Sequence, residues 1–278
     1  MKRFSESPSS IGTYTRCPKK YEFKYKHKLP DPAGPEAKFG GEFGKQVYAT
    51  WQSRDPAQCP YPDMRGMLEL LYSHPAVKGF PACPVVQDAT MHDDDKHRTP
   101  QQRIDLRRML LGQGKAIAEY KLEFACGTSR VFGFVDLILP NGIAMDLKTA
   151  GRKWTQEKLA EANQHGIYTL GLRRQKLCIV EKFYYPICIR PTEKRKADFQ
   201  IISLEISNTY LKKVEESFDK TLARIESDLF PPQQGNHCRY CNFQRYCPAF
   251  GGSLPSPLTH GQESKDSYHP ARIPLEAH

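Results

Sequence analysis

Between residues 133 and 148 the sequence places Gly133-Phe134-Val135-Asp136 ahead of Asp146-Leu147-Lys148. Both stretches are rich in β-branched and aromatic residues and read as strands. Asp146 and Lys148 are two apart, so on one strand their side chains share a face. Whether Asp136 joins them depends on the connection. A two-residue Asn141-Gly142 loop sets Asp136 opposite Leu147, on the wrong face. A three-residue Pro140-Asn141-Gly142 loop sets it directly across from Asp146, and Gly142 favours this loop because such hairpins end in a left-handed residue. Two carboxylates and an ammonium then gather at one place. The carboxylates can hold Mg²⁺ or Mn²⁺ through hard oxygen ligands. The lysine can orient water or neutralise a phosphate transition state. Asp-x-Lys is a common pattern, and an ordinary ion pair on a solvated strand face is the competing reading.

The second group of chemically capable residues is sulfur. The chain has nine cysteines, and its start, Met1-Lys2-Arg3-Phe4, has no apolar stretch behind the basic residues. A disulfide framework is therefore not expected, and thiol chemistry or metal ligation is the better reading. Cys238-x₂-Cys241-x₅-Cys247-Pro248 has ligand spacing, with a fourth thiolate missing locally and Cys17 as the candidate. Four thiolates suit an iron–sulfur cluster or structural Zn²⁺. Cys59, Cys83, Cys126, Cys178 and Cys188 lack paired spacing and read as core or unremarkable; Cys59 and Cys83 precede proline and are weak substitutes for Cys17. Around Cys17, Arg16, Lys19, Lys20, Lys24, Lys26 and Lys28 interleave with Tyr14, Tyr21, Phe23 and Tyr25. Cations with rings can serve single-stranded nucleic acid, or the rings can be core and the lysines solvated; some of each is expected.

These groups need a frame. Short helices are expected over Ser9–Arg16 and from Pro18, then a Pro/Gly-rich break over 29–35. Further helices are expected over 39–51, Met64–His74 and about 101–118, with 81–100 a loop holding Asp93-Asp94-Asp95. Strands are expected over 119–125, 130–139, 143–149, 176–185 and 199–206. A helix over 155–173, with Thr155 as N-cap and a Trp154/Leu159 staple, interrupts them. Its apolar stripe is Leu159, Ala162, Gly166 and Leu170, while Gln164 and Tyr168, four apart, project together elsewhere. A last helix over Ser207–Leu229 carries Leu211, Val214, Phe218, Leu222, Ile225 and Leu229 on one face.

The order of these motifs resembles the RecB-like branch of the PD-(D/E)XK nucleases. The resemblance implies Asp136 and Asp146 as metal ligands, Lys148 as catalytic lysine, and Gln164 and Tyr168 lining the site against DNA. Gly44-Lys45-Gln46-Val47-Tyr48 resembles the segment where that family carries a metal-binding histidine, with Tyr48 in its place; His27, His92 or His97 are spatial substitutes. The setting of Cys17, from Ser9 to Tyr21, resembles the amino-terminal motif of relatives that join one early and three late cysteines around a [4Fe–4S] cluster. Arg16, Lys19, Lys20 and Lys24 then become DNA contacts. The implied activity is hydrolysis of DNA at a strand end, single strands preferred, in repair, recombination, phage replication or CRISPR adaptation, with protein partners from such complexes. A subunit that binds DNA without cutting it is the alternative that Tyr48 raises.

Composition fits this reading. The 278 residues carry 41 Lys and Arg against 31 Asp and Glu, a net charge of +10, which suits a polyanionic partner. No apolar run reaches the length of a membrane span, so a cytoplasmic protein with no membrane partner is expected. The expected fold is α/β, a restriction-endonuclease-like core with a mixed sheet flanked by helices and a cysteine-bound cluster joining the terminal segments. One domain over 1–250 comprises a helical part (1–118), a sheet core (119–206) and a C-terminal helix with the cluster motif (207–250), followed by a disordered tail (251–278).

Overall fold

The computed structural model describes residues 5–32, 35–88, 97–126, 129–161 and 164–254. His92, the acidic run 93–95, Ala162 and the tail from 255 onward lie outside them. The chain resolves into two compact units: residues 1–12 with 32–224, and residues 13–31 with 225–278. Among the described residues, no helix is long and apolar enough to cross a membrane.

The first unit is built on an eight-stranded mixed sheet. Its strands are β1 (Ser5–Glu6), β2 (Val85–Gln87), β3 (Ala116–Cys126), β4 (Ser129–Ile138), β5 (Ala144–Met145), β6 (Lys148–Ala150), β7 (Lys182–Ile189) and β8 (Asp198–Glu205). The order runs β2-β3-β4-β5-β7-β6, with β1 added to β4 and β8 to β7. β3 and β4 form the long antiparallel hairpin, and β5 and β6 both lie parallel to the same strand, β7. The helices are α1 (Pro8–Arg16), α2 (Pro18–Tyr21), α3 (Pro35–Thr50), α4 (Pro62–Ser73), α5 (Pro75–Lys78), α6 (Pro100–Gly112), α7 (Gln156–Glu161), α8 (Gln164–Arg174) and α9 (Asn208–Glu226). Several begin on proline, whose fixed φ suits the first helical position.

Phe43 and Val47 of α3, Trp51 just after it, and Met64, Met67, Leu68 and Leu71 of α4 pack with Ala118, Leu137, Met145 and Cys188 of the sheet. Cys59 and Cys83 are buried in the same cluster, which explains them as core. α8 lies against β3. A Cβ on Gly171 would stand 2.6 Å from Leu122 and Phe124, and one on Gly166 2.7 Å from Val214, so these glycines permit close packing. Thr155 caps α7, accepting from the Lys158 amide at 3.3 Å.

The structure corrects several sequence expectations. The helix expected over 101–118 stops at Gly112; Gly114 has φ +79°, and Ala116–Ala118 pair with β2 and β4 instead. The 81–100 loop contains β2. The side chain of Asp88, next to β2, receives the Arg107 guanidinium at 2.6 Å and the Lys121 amide at 2.9 Å, which pins this segment. The 176–185 strand begins only at Lys182, where pairing with β8 starts, because Lys176 (φ +54°) first turns the chain out of α8. On α9, Leu211, Phe218, Leu222 and Ile225 are buried, but Leu229 lies beyond its end and is exposed.

Candidate active site

The three-residue loop forms as the spacing required. Leu139 N–H donates to Ile143 O at 2.8 Å, Gly142 N–H donates to Leu139 O at 3.0 Å, and Gly142 has φ +77°. The register Leu137↔Met145 and Ile138↔Ala144, continued by one, sets Asp136 across from Asp146. There the expected single strand over 143–149 breaks in two. Asp146 N–H donates to Tyr184 O at 3.0 Å, whereas Leu147 N–H donates to Asp136 Oδ2 at 2.6 Å. The Asp136 carboxylate thus takes the place of a strand partner for the segment carrying the second acid. Lys148, on β6, pairs its ammonium with Asp146 Oδ2. Asp146 is buried, and apart from Lys148 no donor among the described residues reaches Oδ2.

Gln164 and Tyr168 are brought together on α8, Gln164 Nε2 donating to the Tyr168 hydroxyl at 3.5 Å. Tyr168 is buried, with Asp146 and Asp136 among the charges acting on it and the Phe134 backbone in hydrogen-bond contact. Gly133 makes this possible: a Cβ there would stand 2.8 Å from the Tyr168 ring. The glycine of the Gly-x-x-Asp motif therefore admits the tyrosine of the helix.

Tyr48 is buried on α3 and does face this group. Burial raises its phenol pKa, and Asp136, Glu119 and Asp146 raise it further. His27 pairs instead with Glu22 at 3.5 Å, and His97 is exposed. His165 is held between Tyr185 (3.0 Å) and Tyr210 (2.5 Å), a structural arrangement. Glu119 is the residue that sequence reasoning missed. It stands opposite Asp136 at the one unpaired step of the β3–β4 ladder, between Ala118↔Leu137 and Tyr120↔Val135. Its φ of +52° is an unfavourable conformation for a non-glycine residue. Once the β3–β4 register is known, an acid facing Asp136 is the signal.

In the second unit, Cys17, Cys238, Cys241 and Cys247 line one small cavity together with Lys19, Lys20 and Phe23. Cys17 precedes α2, Cys238 and Cys241 bound a short turn (Cys241 N–H to Cys238 O, 3.1 Å), and Gly252 N–H donates to Cys247 O at 3.0 Å. Burial raises the Cys241 and Cys247 thiols, and Cys17 and Cys238 act on both. No three of these sulfurs come within 4.8 Å of one another. The aromatic residues around Cys17 correct part of the expectation: Tyr14, Tyr21 and Phe23 are buried, Tyr21 stacking on Phe230 at 5.8 Å and Phe23 meeting Phe243 at 5.8 Å. They are core rings, closed to bases. Lys19 pairs with Glu22 and Lys24 with Asp31, Lys20 lies near the Phe243 ring, and Arg16 is exposed.

The donor set in the first unit fits a hard divalent cation. Burial lifts the Asp136 carboxyl above the usual range, and Asp146 lifts it further, against Lys148 and the Leu147 amide. Burial likewise raises Asp146, against the pull of Lys148. Burial opposes the Lys148 charge, but both carboxylates outweigh it and raise its pKa. The pair thus lacks positive charge, and a cation at Asp136 and Asp146 would supply it. A carboxyl raised in the folded state keeps its proton after the unfolded chain has lost it, so its contribution turns unfavourable as pH rises above the unfolded value. Metal-free Asp136→Asn, neutral throughout, should gain thermal stability relative to wild type between about pH 4 and 8. It should also lose the stabilisation that Mn²⁺ gives wild type. Melting curves with parallel pH profiles and equal Mn²⁺ shifts would contradict this assignment.

The family model of the PD-(D/E)XK nuclease superfamily matches residues 5–248. Among solved structures, the crystal structure of SSO0001 aligns with a TM-score of 0.40 and 16% identity, covering 90% of this chain and 88% of that one. A candidate exonuclease from Eubacterium rectale aligns with a TM-score of 0.48 and 13% identity, covering 92% of this chain and 91% of that one. Comparison with curated proteins finds no match. The family match runs from the first strand of the sheet through the last cysteine of the second unit, and on it the chain belongs to the PD-(D/E)XK nuclease superfamily.

Proposed function

We propose that this chain is a RecB-like, metal-dependent DNA nuclease that hydrolyses phosphodiester bonds from a strand end and prefers single-stranded DNA. The observation that carries the reading is the buried Asp136–Asp146–Lys148 group, with a carboxylate oxygen that, among the described residues, only Lys148 reaches. Asp136 and Asp146 would hold Mg²⁺ or Mn²⁺, which when bound supplies Lewis acidity toward water and phosphate. Lys148, held protonated by its two neighbours, is a donor and not a base, suited to a non-bridging phosphate oxygen or the attacking water. The water oxygen bonds to phosphorus, the bond to the leaving sugar oxygen breaks, and that oxygen gains a proton while the water loses one. Tyr168 and Gln164, set beside the carboxylates through Gly133, orient the strand. Asp146→Ala should reduce Mn²⁺-dependent cleavage of end-labelled single-stranded DNA at least about 100-fold, while DNA binding stays close to wild type. Wild-type rates in the variant would sink the assignment. Circular single-stranded DNA should resist cleavage.

Tyr48 favours a second reading, a subunit that binds DNA with little or no cleavage. A phenol with a raised pKa stays protonated and is a poor metal ligand, so the site relies on oxygen donors from the carboxylates, backbone and water. The nuclease reading expects a weakened metal site that needs more metal for activity, which Tyr48→His improves by lowering the Mn²⁺ needed for half-maximal cleavage. If Tyr48 is only core packing, Tyr48→His lowers stability without that gain and Tyr48→Phe is silent.

The second unit would hold a [4Fe–4S] cluster on Cys17, Cys238, Cys241 and Cys247. The resemblance of the Cys17 segment to cluster-bearing relatives favours the cluster over structural Zn²⁺. Cys17→Ser should bleach the brown absorbance near roughly 400 nm expected of anaerobically purified protein and lower its melting temperature. A colourless wild type with one equivalent of zinc supports the zinc alternative, and an unchanged spectrum in the variant removes Cys17 from the site.

A further inference from the structure

β4 alternates strictly before it reaches the site. Val131, Gly133 and Val135 are buried, while Arg130, Phe132 and Phe134 are exposed and Asp136 comes next in the same alternation. Phe132 is 37% and Phe134 50% exposed. Two neighbouring solvent-facing phenylalanines on one strand face mark an interaction surface more readily than a single one does. Across the ladder Phe134 stands opposite Lys121 and Phe132 opposite Glu123, while Glu123 pairs with Arg130 at 2.9 Å. The Lys121 side chain is exposed and has no acidic partner among the described residues.

Lys121, Glu123 and Arg130 also belong to the wall of an open groove along β3, which adds Arg103, Arg108, Arg174 and Lys176. The two carboxylates lining that groove, Asp88 and Glu123, are each tied to an arginine. Arg108 and Arg174 pair with Asp105 and Glu215 beyond the lining, so the groove keeps a cationic excess carried by Arg103, Lys121 and Lys176, and it borders a pair of rings that leads along one strand to Asp136.

We propose that this face is a track for single-stranded DNA: unpaired bases stack on Phe132 and Phe134, phosphates follow the cations of the β3 groove, and the strand is delivered to Asp136. The inference rests on the nuclease reading of the carboxylate site and adds where its substrate lies. Successive outward residues on a strand are about 7 Å apart, so each ring can take its own base. A duplex keeps its base faces stacked inside and offers these rings nothing. A protein partner would match the rings but not the unbalanced charge beside them. Asp136 follows Phe134 by two residues on the same strand face, so a base stacked on this ring lies about 7 Å along the strand from the first carboxylate of the proposed catalytic group.

The test is binding of a fluorescent single-stranded oligonucleotide, and of a blunt duplex of the same sequence, in EDTA so that no metal-dependent cleavage intervenes. Phe132→Ala and Phe134→Ala should each weaken single-strand binding by about 10-fold and leave duplex binding unchanged, with Phe134→Tyr restoring affinity. Lys121→Glu should weaken binding to both and flatten the salt dependence. Both phenylalanines are solvent-facing, so melting temperatures should hold, which separates lost stacking from lost fold. Single-strand binding unchanged in the Phe132→Ala/Phe134→Ala double variant overturns the track. So does a loss of self-association in that variant with DNA binding intact, because the face would then be an interface between copies. A wild type that binds single strands through these rings yet never cuts in Mn²⁺ supports the track and sinks the nuclease reading. Cleavage that survives with ring-independent binding does the reverse.

Discussion

The Leu147 amide accepted by the Asp136 carboxylate is the interaction on which the site depends. A backbone N–H inside a sheet must find an acceptor, and in an uninterrupted strand it would find a neighbouring carbonyl. Here a side chain supplies the acceptor, so the strand carrying Asp146 and Lys148 divides into β5 and β6. Both pieces still lie along β7, so the break costs no sheet connectivity. It lets residues 146–148 bring a second carboxylate and an ammonium to the first. One hydrogen bond thereby couples the positions of both acids.

Gathering these charges in a buried place works against the stability of the metal-free protein. Asp136, Asp146 and Glu119 are of like sign, Lys148 is the cation paired with them, and Glu119 stands in a left-handed conformation. Strain and unbalanced charge of this kind persist where the surrounding structure overdetermines them. The packing of α3 and α4 on Ala118, Leu137 and Met145 does this, since those residues flank Glu119, Asp136 and Asp146 in sequence. The partial burial of the group strengthens the electrostatic interactions inside it. A site that is costly when empty gains most from a divalent cation, and that links the fold's stability to its proposed chemistry.

The second unit solves a different problem. It is assembled from 13–31 and 225–254, segments made of short helical pieces and turns. Its core is aromatic: Tyr14, Tyr21 and Phe230 pack on one another, Phe23 packs on Phe243, and Tyr14 donates its hydroxyl to Leu229 O at 2.6 Å. Asp31 receives both Lys24 and Asn242 at 2.7 Å. Rings and polar ties of this kind hold a small unit whose four cysteines face a common space. A bound cluster or metal closing a loop of more than two hundred residues would add to that modest core.

The sequence by itself determined the local parts. The spacing Asp136, Asp146, Lys148 with Pro140-Asn141-Gly142 between them gave the hairpin register, because a period of two and a left-handed glycine leave few alternatives. Gln164 and Tyr168 were readable as one helix face, and Cys238, Cys241 and Cys247 as one group, for the same reason: short separations fix geometry. What only the tertiary structure decided involves residues distant in sequence. Ala116–Ala118 became strand because β2 and β4 lie on either side of them, and nothing local resists either state. Glu119 entered the site through its cross-strand neighbour, and Gly133 acquired a purpose only once Tyr168 packed on it. The rings near Cys17 looked like a surface for bases until Phe230 and Phe243 arrived from the other end of the chain. Periodicity records which way a side chain points within its own element; which other element meets it there is settled by packing.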